Sequence, residues 1–345
     1  MWVKTLGLDK PVIAVTMGDP AGSGPEITLK ALKDQSLFDE SKIILVGDLK
    51  VFKRALQIVK EEGLEFVEIK KPSEACDAPK KVNIINLDNV ELEKLQYGKA
   101  SSLGGKAAYE SIVKSVNYAL SKEVHAVVTA PISKESLNLA GYNYPGHTEL
   151  LAALTGVKDV KMMLVAGAFK VVHVTTHVSL REALNLIKKE SVLKTIEVTY
   201  NNLVDLFRIP RPKIAVSGLN PHAGESGLFG REEIDEIAPA IKESNLKGID
   251  ASGPYPPDTI FYRAYYNKQF DAVIAMLHDQ GHIAMKMVGF MEGVNLSLGL
   301  PIIRTSPDHG TVWGKAGKGT GSESATLEAI KLAISLSKKK FNLEK

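Results

Sequence analysis

Between Asp258 and Thr311 the chain concentrates residues able to act on a small charged molecule. An apolar run, Ala272-Val273-Ile274-Ala275-Met276-Leu277, stops abruptly at His278-Asp279-Gln280-Gly281. That is the pattern of a buried strand delivering polar groups at its carboxyl end. Lys286, Asn295 and Arg304 follow, separated by apolar or small residues. A point-charge ammonium, a neutral amide donor and a planar guanidinium together suit a phosphate dianion. A metal-capable His-Asp pair beside such a cradle points to a small phosphorylated substrate.

The same design recurs upstream. Ala126-Val127-Val128-Thr129 leads to Ala130-Pro131-Ile132-Ser133-Lys134, Val171-Val172-His173-Val174-Thr175 to Thr176-His177, and Ile214-Ala215-Val216 to Asn220-Pro221-His222-Ala223-Gly224-Glu225. Ligand crevices of α/β sheets lie outside the carboxyl ends of the strands, where His177, His222 and His278 all fall. Imidazoles so placed are either metal ligands or hydrogen-bonded structural residues. His147 starts a predicted helix whose first amides favour an anion. His125 and His173 sit in or at the start of apolar runs and read as structural, whereas His282 either faces the substrate or packs. Asp258 follows the proline-stiffened Gly253-Pro254-Tyr255-Pro256-Pro257 and is either a helix cap or a site carboxylate. Asp308-His309-Gly310-Thr311 opens a turn continued by the glycine-rich Gly314–Gly321, which either lies against a cofactor or links the last strand to a helix from Ser322.

The elements that must position these groups alternate. Val12–Thr16 is a β-branched run, followed by Gly18-Asp19-Pro20-Ala21-Gly22-Ser23-Gly24-Pro25-Glu26, a turn with a helix start built into it. Its glycine spacing matches neither G-x-G-x-x-G nor a Walker loop. Strand-like runs recur at Ile43–Val46 and Val82–Asn86, with a helical pattern from Val51 to Val59 between them and a long amphipathic helix over Leu103–Leu120. Such alternation predicts an α/β protein with a largely parallel sheet. Pro72–Lys81 reads as the loosest surface loop.

Composition narrows the function classes. The 345 residues are 44% hydrophobic with a net charge of +3, enough for one large core or two lobes. A nucleic-acid role would need a local basic stripe, and Lys338-Lys339-Lys340 reads instead as a helix end. The single cysteine, Cys76, excludes an intrachain disulfide and any multi-Cys metal site. With no apolar signal core and no span of about 20 apolar residues, the expectation is a cytoplasmic protein with no membrane contact.

Six motifs in order resemble the 4-hydroxythreonine-4-phosphate dehydrogenase family of the vitamin B6 pathway: Thr16-Met17-Gly18-Asp19-Pro20-Ala21-Gly22, Thr129–Lys134, Pro145-Gly146-His147-Thr148-Glu149, Asn220–Glu225, His278–Gly281, and Arg304-Thr305-Ser306 leading into Asp308–Thr311. The likeness runs from about Val12 to Leu336. It implies an isocitrate/isopropylmalate-dehydrogenase-like α/β/α fold as one family unit, with two lobes, approximately 1–130 plus 300–345 and 131–299, and a cleft between them. It implies a homodimer with its active site shared across the interface. The resemblance places a divalent metal (zinc, cobalt, manganese or magnesium) on His177, His222 and His278, one of them from the partner subunit. Substrate contacts fall on His147, Thr148, Lys286, Asn295 and Arg304. Asp258, Asp279 and His147 are the candidate bases. NAD or NADP lies near Asp308, His309, Gly310 and Thr311 on a surface unlike the Rossmann fold.

The implied reaction is oxidation of 4-hydroxythreonine 4-phosphate at C3, then decarboxylation to 3-amino-2-oxopropyl phosphate. Two features differ from the family's usual pattern. Val312-Trp313-Gly314-Lys315 replaces an apolar-Asp-apolar run, and Gly227-Leu228-Phe229-Gly230, His282 and Asn143-Tyr144 resemble a branch acting on D-threonate or D-erythronate 4-phosphate. A non-catalytic phosphometabolite-binding protein is the alternative of another class, and a phosphate acyltransferase on a related fold is a weaker one.

Overall fold

A computed structural model describes residues 10–78 and 80–343. The first strand, β1 (Val12–Thr16), is buried at every position, and the turn after it enters α1 (Gly24–Ala31) with Pro25 in its first turn. The chain continues through α2 (Ser36–Glu40), β2 (Lys42–Gly47), α3 (Leu49–Ile58), β3 (Glu65–Glu68), β4 (Lys81–Asn86), α4 (Ser102–Leu120), β5 (Ala126–Val128), α5 (Lys134–Leu139) and α6 (His147–Thr155). A second stretch comprises β6 (Lys161–Ala166), β7 (Phe169–His173), α7 (Leu180–Leu186), α8 (Lys189–Asp205), β8 (Ile214–Ser217), α9 (Ala238–Leu246), β9 (Ala251–Tyr255), α10 (Ile260–Tyr265), β10 (Ala272–Ala275), α11 (His278–Gly289) and β11 (Val294–Leu298). The chain ends with β12 (Ile303–Pro307) and α12 (Ser324–Phe341).

These elements form two compact units, one made of residues up to Asp159 together with those from Leu300, the other of Val160–Gly299. The first division falls after Asp159 where residue 130 was expected, because α5 and α6 both pack on α4. In the first unit the strands run β3-β4-β2-β1-β5-β12, every pair parallel, with Ala14 of β1 opposite Ile44 and Val127. Strands covered on both faces need apolar side chains throughout, hence the unbroken Val/Ile/Leu runs visible in the sequence. Strand β3, Glu65-Phe66-Val67-Glu68, gives no such run, as suits an edge strand with charged ends.

In the second unit the order is β11-β6-β7-β10-β8-β9. Here β11-β6 and β6-β7 are antiparallel and the rest parallel, so these strands are mixed, while parallel pairs remain the majority that the alternation predicted. The antiparallel pair arises because β6 and β7 are joined by the short turn at Gly167, too short for a crossover helix. Its core joins Leu164, Phe169, Val171, Val273, Ala275 and Met285, which seats α11 on β6, β7 and β10.

Three local expectations meet a definite outcome. Pro72–Lys81 is not loose where described: Pro72–Glu74 is a 3₁₀ turn, and the buried Asn83 side chain accepts from Cys76 N (2.9 Å) and donates to Cys76 O (3.1 Å). The lysine run ends α12, with Lys338 paired to Glu40 at 2.8 Å. The glycine-rich loop packs on α1: Gly317 N and Gly319 N donate to the two oxygens of buried Glu26 (2.6 and 2.7 Å), and Lys30 Nζ reaches Gly321 O. Those two amides are therefore taken by the chain's own carboxylate and are not open to a dinucleotide phosphate. No helix of the described residues is long and apolar enough to cross a membrane.

Candidate active site

His278 is the first residue of α11, three positions past the end of buried β10. The apolar run had to end there because α11 needs polar groups at its N-terminus. Asp279 stands in that first turn, where a carboxylate is favoured by the helix dipole. Its Oδ1 lies 2.7 Å from His278 Nδ1. With Nδ1–H donating to this carboxylate, Nε2 keeps its lone pair for a proton or a metal, the tautomer that a carboxylate-His pair selects.

His177 lies on the segment between β7 and α7, and its ring centroid is 5.5 Å from that of His278. Both rings, with Asp279, Thr175, Thr176 and Leu277, line a pocket of about 220 Å³. His282, one turn along α11, stacks on His278 at 3.7 Å with an interplanar angle of 13°, and its Nδ1 is 3.1 Å from His278 O.

His173, which reads as structural, is buried, but its ring lies 4.7 Å from His282 and 6.2 Å from His278. Burial, with the two neighbouring imidazoles, pushes its pKa down to about 3, so it is neutral. The sequence signal for this role was Gly281. A Cβ there would sit 2.3 Å from His173 Nε2 and 2.8 Å from Val171 Cγ1, so only glycine lets α11 rest on that ring. Gly281→Ala is expected to lift the helix and to cost about 2 kcal/mol, a typical overpacking penalty. A urea midpoint equal to the parent's is the result that contradicts this contact.

Gln280 ties two loops together. Its Oε1 accepts from Met276 N and Leu277 N (3.1 Å each), and its Nε2 donates to Gly218 O and Leu219 O (3.3 Å each), where the chain leaves β8 toward His222. His222 itself is exposed, on a turn of left-handed backbone. Among the described residues of the single chain no three His, Cys, Asp or Glu groups are arranged to hold a metal. The structure brings His177 and His278 together, and among the described residues of one chain His222 does not complete a three-group metal site with them. In chemistry the donor set still suits a divalent cation: imidazoles, one of them already oriented by a carboxylate.

The other predicted residues divide between the two units. In the second, Lys286 lies two turns beyond His278 with its ammonium over the Phe290 ring at 5.4 Å, and Asn295 is half-buried on β11 opposite Leu164. Asp258 is exposed and does not cap α10; Thr259 holds the cap position, without a side-chain bond.

In the first unit Arg304 lies on β12 at 1% exposure, donating through Nε (3.1 Å) and Nη2 (2.6 Å) to Thr129 Oγ1. Burial pulls its pKa down to about 9, which leaves it charged at neutral pH. His147, the first residue of α6, is hydrogen-bonded to the Ala130 carbonyl, and its Nε2 is buried without a partner. Burial first, then the nearby Arg304 charge, hold its pKa well below the ordinary range. It is thus a neutral acceptor beside a cation, and Thr148 follows it in the first turn of α6. Thr311 O accepts both Ser23 N and Ser23 Oγ at 3.0 Å, tying the Asp308–Thr311 turn to the entrance of α1, while His309 Nδ1 lies 3.0 Å from Gly310 O.

Comparison with known proteins agrees with the resemblance carried by the motifs. A 4-hydroxythreonine-4-phosphate dehydrogenase of Trichlorobacter lovleyi is 45% identical over 95% of this chain and 98% of its own length. A D-threonate 4-phosphate dehydrogenase of Pectobacterium atrosepticum is 44% identical over 94% and 99%. The crystal structure of a 4-hydroxythreonine-4-phosphate dehydrogenase from Burkholderia phymatum superposes with a TM-score of 0.84 at 44% identity, covering 95% of this chain and 98% of that one. The sequence model of one family matches residues 39–333, and by that match the chain belongs to the pyridoxal phosphate biosynthetic protein PdxA family.

Proposed function

We propose that this protein is a dehydrogenase acting on a CH–OH group in pyridoxal phosphate biosynthesis, oxidising 4-hydroxythreonine 4-phosphate at C3 with subsequent loss of carbon dioxide to give 3-amino-2-oxopropyl phosphate. The observation that carries it is the His278–Asp279 pair opening a pocket shared with His177, in a chain of this family. NAD or NADP would supply the hydride acceptor when bound, and His177, His222 and His278, one supplied by a second copy, would hold a divalent cation that would supply a Lewis acid for the C3 hydroxyl and for the charge left by decarboxylation.

The chain's own residues do the rest. Asp279 keeps His278 in one tautomer with Nε2 available. Lys286 and Asn295 in the second unit, and Arg304, His147 and Thr148 in the first, contact the substrate, with the cations on its phosphate. Asp258, Asp279 and His147 are the candidate bases; His147 has a buried acceptor at Nε2, but the burial and the Arg304 charge that hold its pKa down also weaken it as a proton acceptor. The Asp308–Thr311 turn, fixed to Ser23, borders the dinucleotide.

A second copy of the chain fits the second unit's surface. Ile283, Met287 and Phe290 form one exposed stripe of α11 at 65%, 81% and 71% exposure, an apolar face that calls for a cover. A homodimer is the reading this supports, with cytoplasmic residence as its expected setting.

The D-threonate relative gives the second reading the same chemistry on a phosphorylated sugar acid, favoured by Gly227–Gly230 and His282. NADH formation by the purified protein with Mn²⁺ decides between them. The 4-hydroxythreonine, D-threonate and D-erythronate 4-phosphates are offered in parallel. Turnover of the amino acid supports the first reading, preference for a sugar acid the second, and no turnover with any of them overturns both in favour of a binding protein.

A further inference from the structure

The motif Asn220–Glu225 contributes only His222 to the proposed chemistry, yet among the described residues it holds the longest run of positive φ. His222, Ala223, Gly224, Glu225 and Ser226 have φ of 53°, 55°, 81°, 43° and 55°, a continuous left-handed turn in which four of five residues carry a Cβ. L-residues avoid that region because Cβ crowds the following carbonyl. A run of this length persists only where its surroundings over-determine it.

The surroundings converge on one carboxylate. Glu233, 3% exposed, opens the π-helical turn Glu233–Ile237. Its Oε1 accepts from Leu219 N and Asn220 N at 2.7 Å each, and its Oε2 from Asn220 Nδ2 at 2.9 Å. The same Nδ2 reaches Glu232 Oε2 at 2.7 Å. Two glycines make room for the carboxylate: a Cβ on Gly224 would lie 2.8 Å from Glu233 Oε2, and one on Gly218 3.1 Å from Oε1. The carbonyls of Gly218 and Leu219, just after β8, accept from Gln280 Nε2. The turn is thus fastened where it leaves β8 and packed against Glu233 at its middle.

We propose that Glu233 is a positioning residue, clamping the left-handed turn so that His222 is presented in one fixed orientation. The clamp stands on geometry alone; its consequence for the metal rests on the reading of His222 as a ligand. Glutamine at this position keeps the volume but turns an N–H₂ donor toward Asn220 Nδ2 or toward the two backbone amides, so one arm of the clamp is lost in either orientation.

The test uses the full-length protein. In Glu233→Gln, hydrogen exchange of the 218–228 segment is expected to accelerate at least about 10-fold, and Mn²⁺ affinity by calorimetry to fall about 10- to 100-fold, the usual effect of losing a supporting contact around a ligand. Adding Glu225→Gly and Ser226→Gly, which accept positive φ without crowding, is expected to recover part of that affinity. Unchanged exchange in Glu233→Gln overturns the clamp. Faster exchange with parental Mn²⁺ affinity overturns its role in presenting His222. If the parent itself binds no Mn²⁺ while exchange still accelerates, the metal reading fails and the clamp is upheld. Should Glu233→Gln not fold, Asn220→Ala removes only the side-chain arm and is read by the same exchange experiment, faster exchange upholding the clamp and parental exchange overturning it.

Discussion

His278→Ala is expected to lower kcat for NADH formation by about 10³-fold, with Mn²⁺ binding lost in parallel. The size follows from what one ring does. It presents Nε2 to the pocket, takes Asp279 through Nδ1, and forms one side of the stack with His282. Stability should change by less than about 1 kcal/mol, because the ring is half-buried at a helix start and not in the core. Asp279→Asn is the graded companion: it leaves the ring but weakens its orientation, and about 10- to 100-fold is expected. Steady-state assays in saturating Mn²⁺, with circular dichroism to check the fold, decide the matter. More than a tenth of parental kcat in His278→Ala places the chemistry elsewhere.

Arg304→Lys is expected to raise KM for the phosphorylated substrate about 10- to 100-fold while leaving kcat within a few-fold. Charge is nominally conserved, so the effect isolates the fork. Arg304 meets Thr129 Oγ1 through both Nε and Nη2, and a lysine has no rigid plane with which to keep that bond and still address an anion. A lost charge-assisted hydrogen bond of about 1.5–3 kcal/mol corresponds to that range of KM. Burial adds a second penalty, since an ammonium enclosed to the same degree loses its proton far more readily than a guanidinium. The rise in KM should therefore steepen with pH in the lysine enzyme. An unchanged KM removes Arg304 from the substrate-binding residues and leaves it as a strut between β12 and the end of β5.

How much of this was legible beforehand depended on burial. The strands of the first unit declare themselves as unbroken apolar runs, β1 from Val12 to Thr16 to the residue, because parallel strands have no polar face. Strand β3 did not, since an edge strand four residues long carries no such run. The antiparallel hairpin of β6 and β7 was missed for another reason: Gly167 was the only cue to a tight turn, and the residues on either side read alike in either direction.

Within the site, His278 and Asp279 were legible because a polar pair directly after an apolar run has few other uses. Gln280, Gly281 and His173 were not. What they contribute is relative placement, a carbonyl here and a ring beneath a helix there, and a linear sequence does not state which distant segment lies opposite. Glu26 is the same lesson from the first unit: adjacent to Pro25 it looked like a dipole-favoured helix start, and the buried carboxylate turned out to hold two amides near the far end of the chain.

That last contact bears on how the protein is made. The second unit is one uninterrupted stretch, Val160–Gly299, and all its strands emerge from the ribosome together. The first unit begins earlier and finishes later. Until Ile303–Pro307 has been synthesised, β5 lacks its β12 neighbour and presents an open edge, and Glu26 has no glycine loop to grip. Vectorial synthesis therefore inverts the order of the sequence, with the central segment able to reach its native state while the N-terminal segment waits for the last residues. Premature termination after the second unit would leave that waiting segment with an unpaired β edge, the feature through which nascent chains most readily associate.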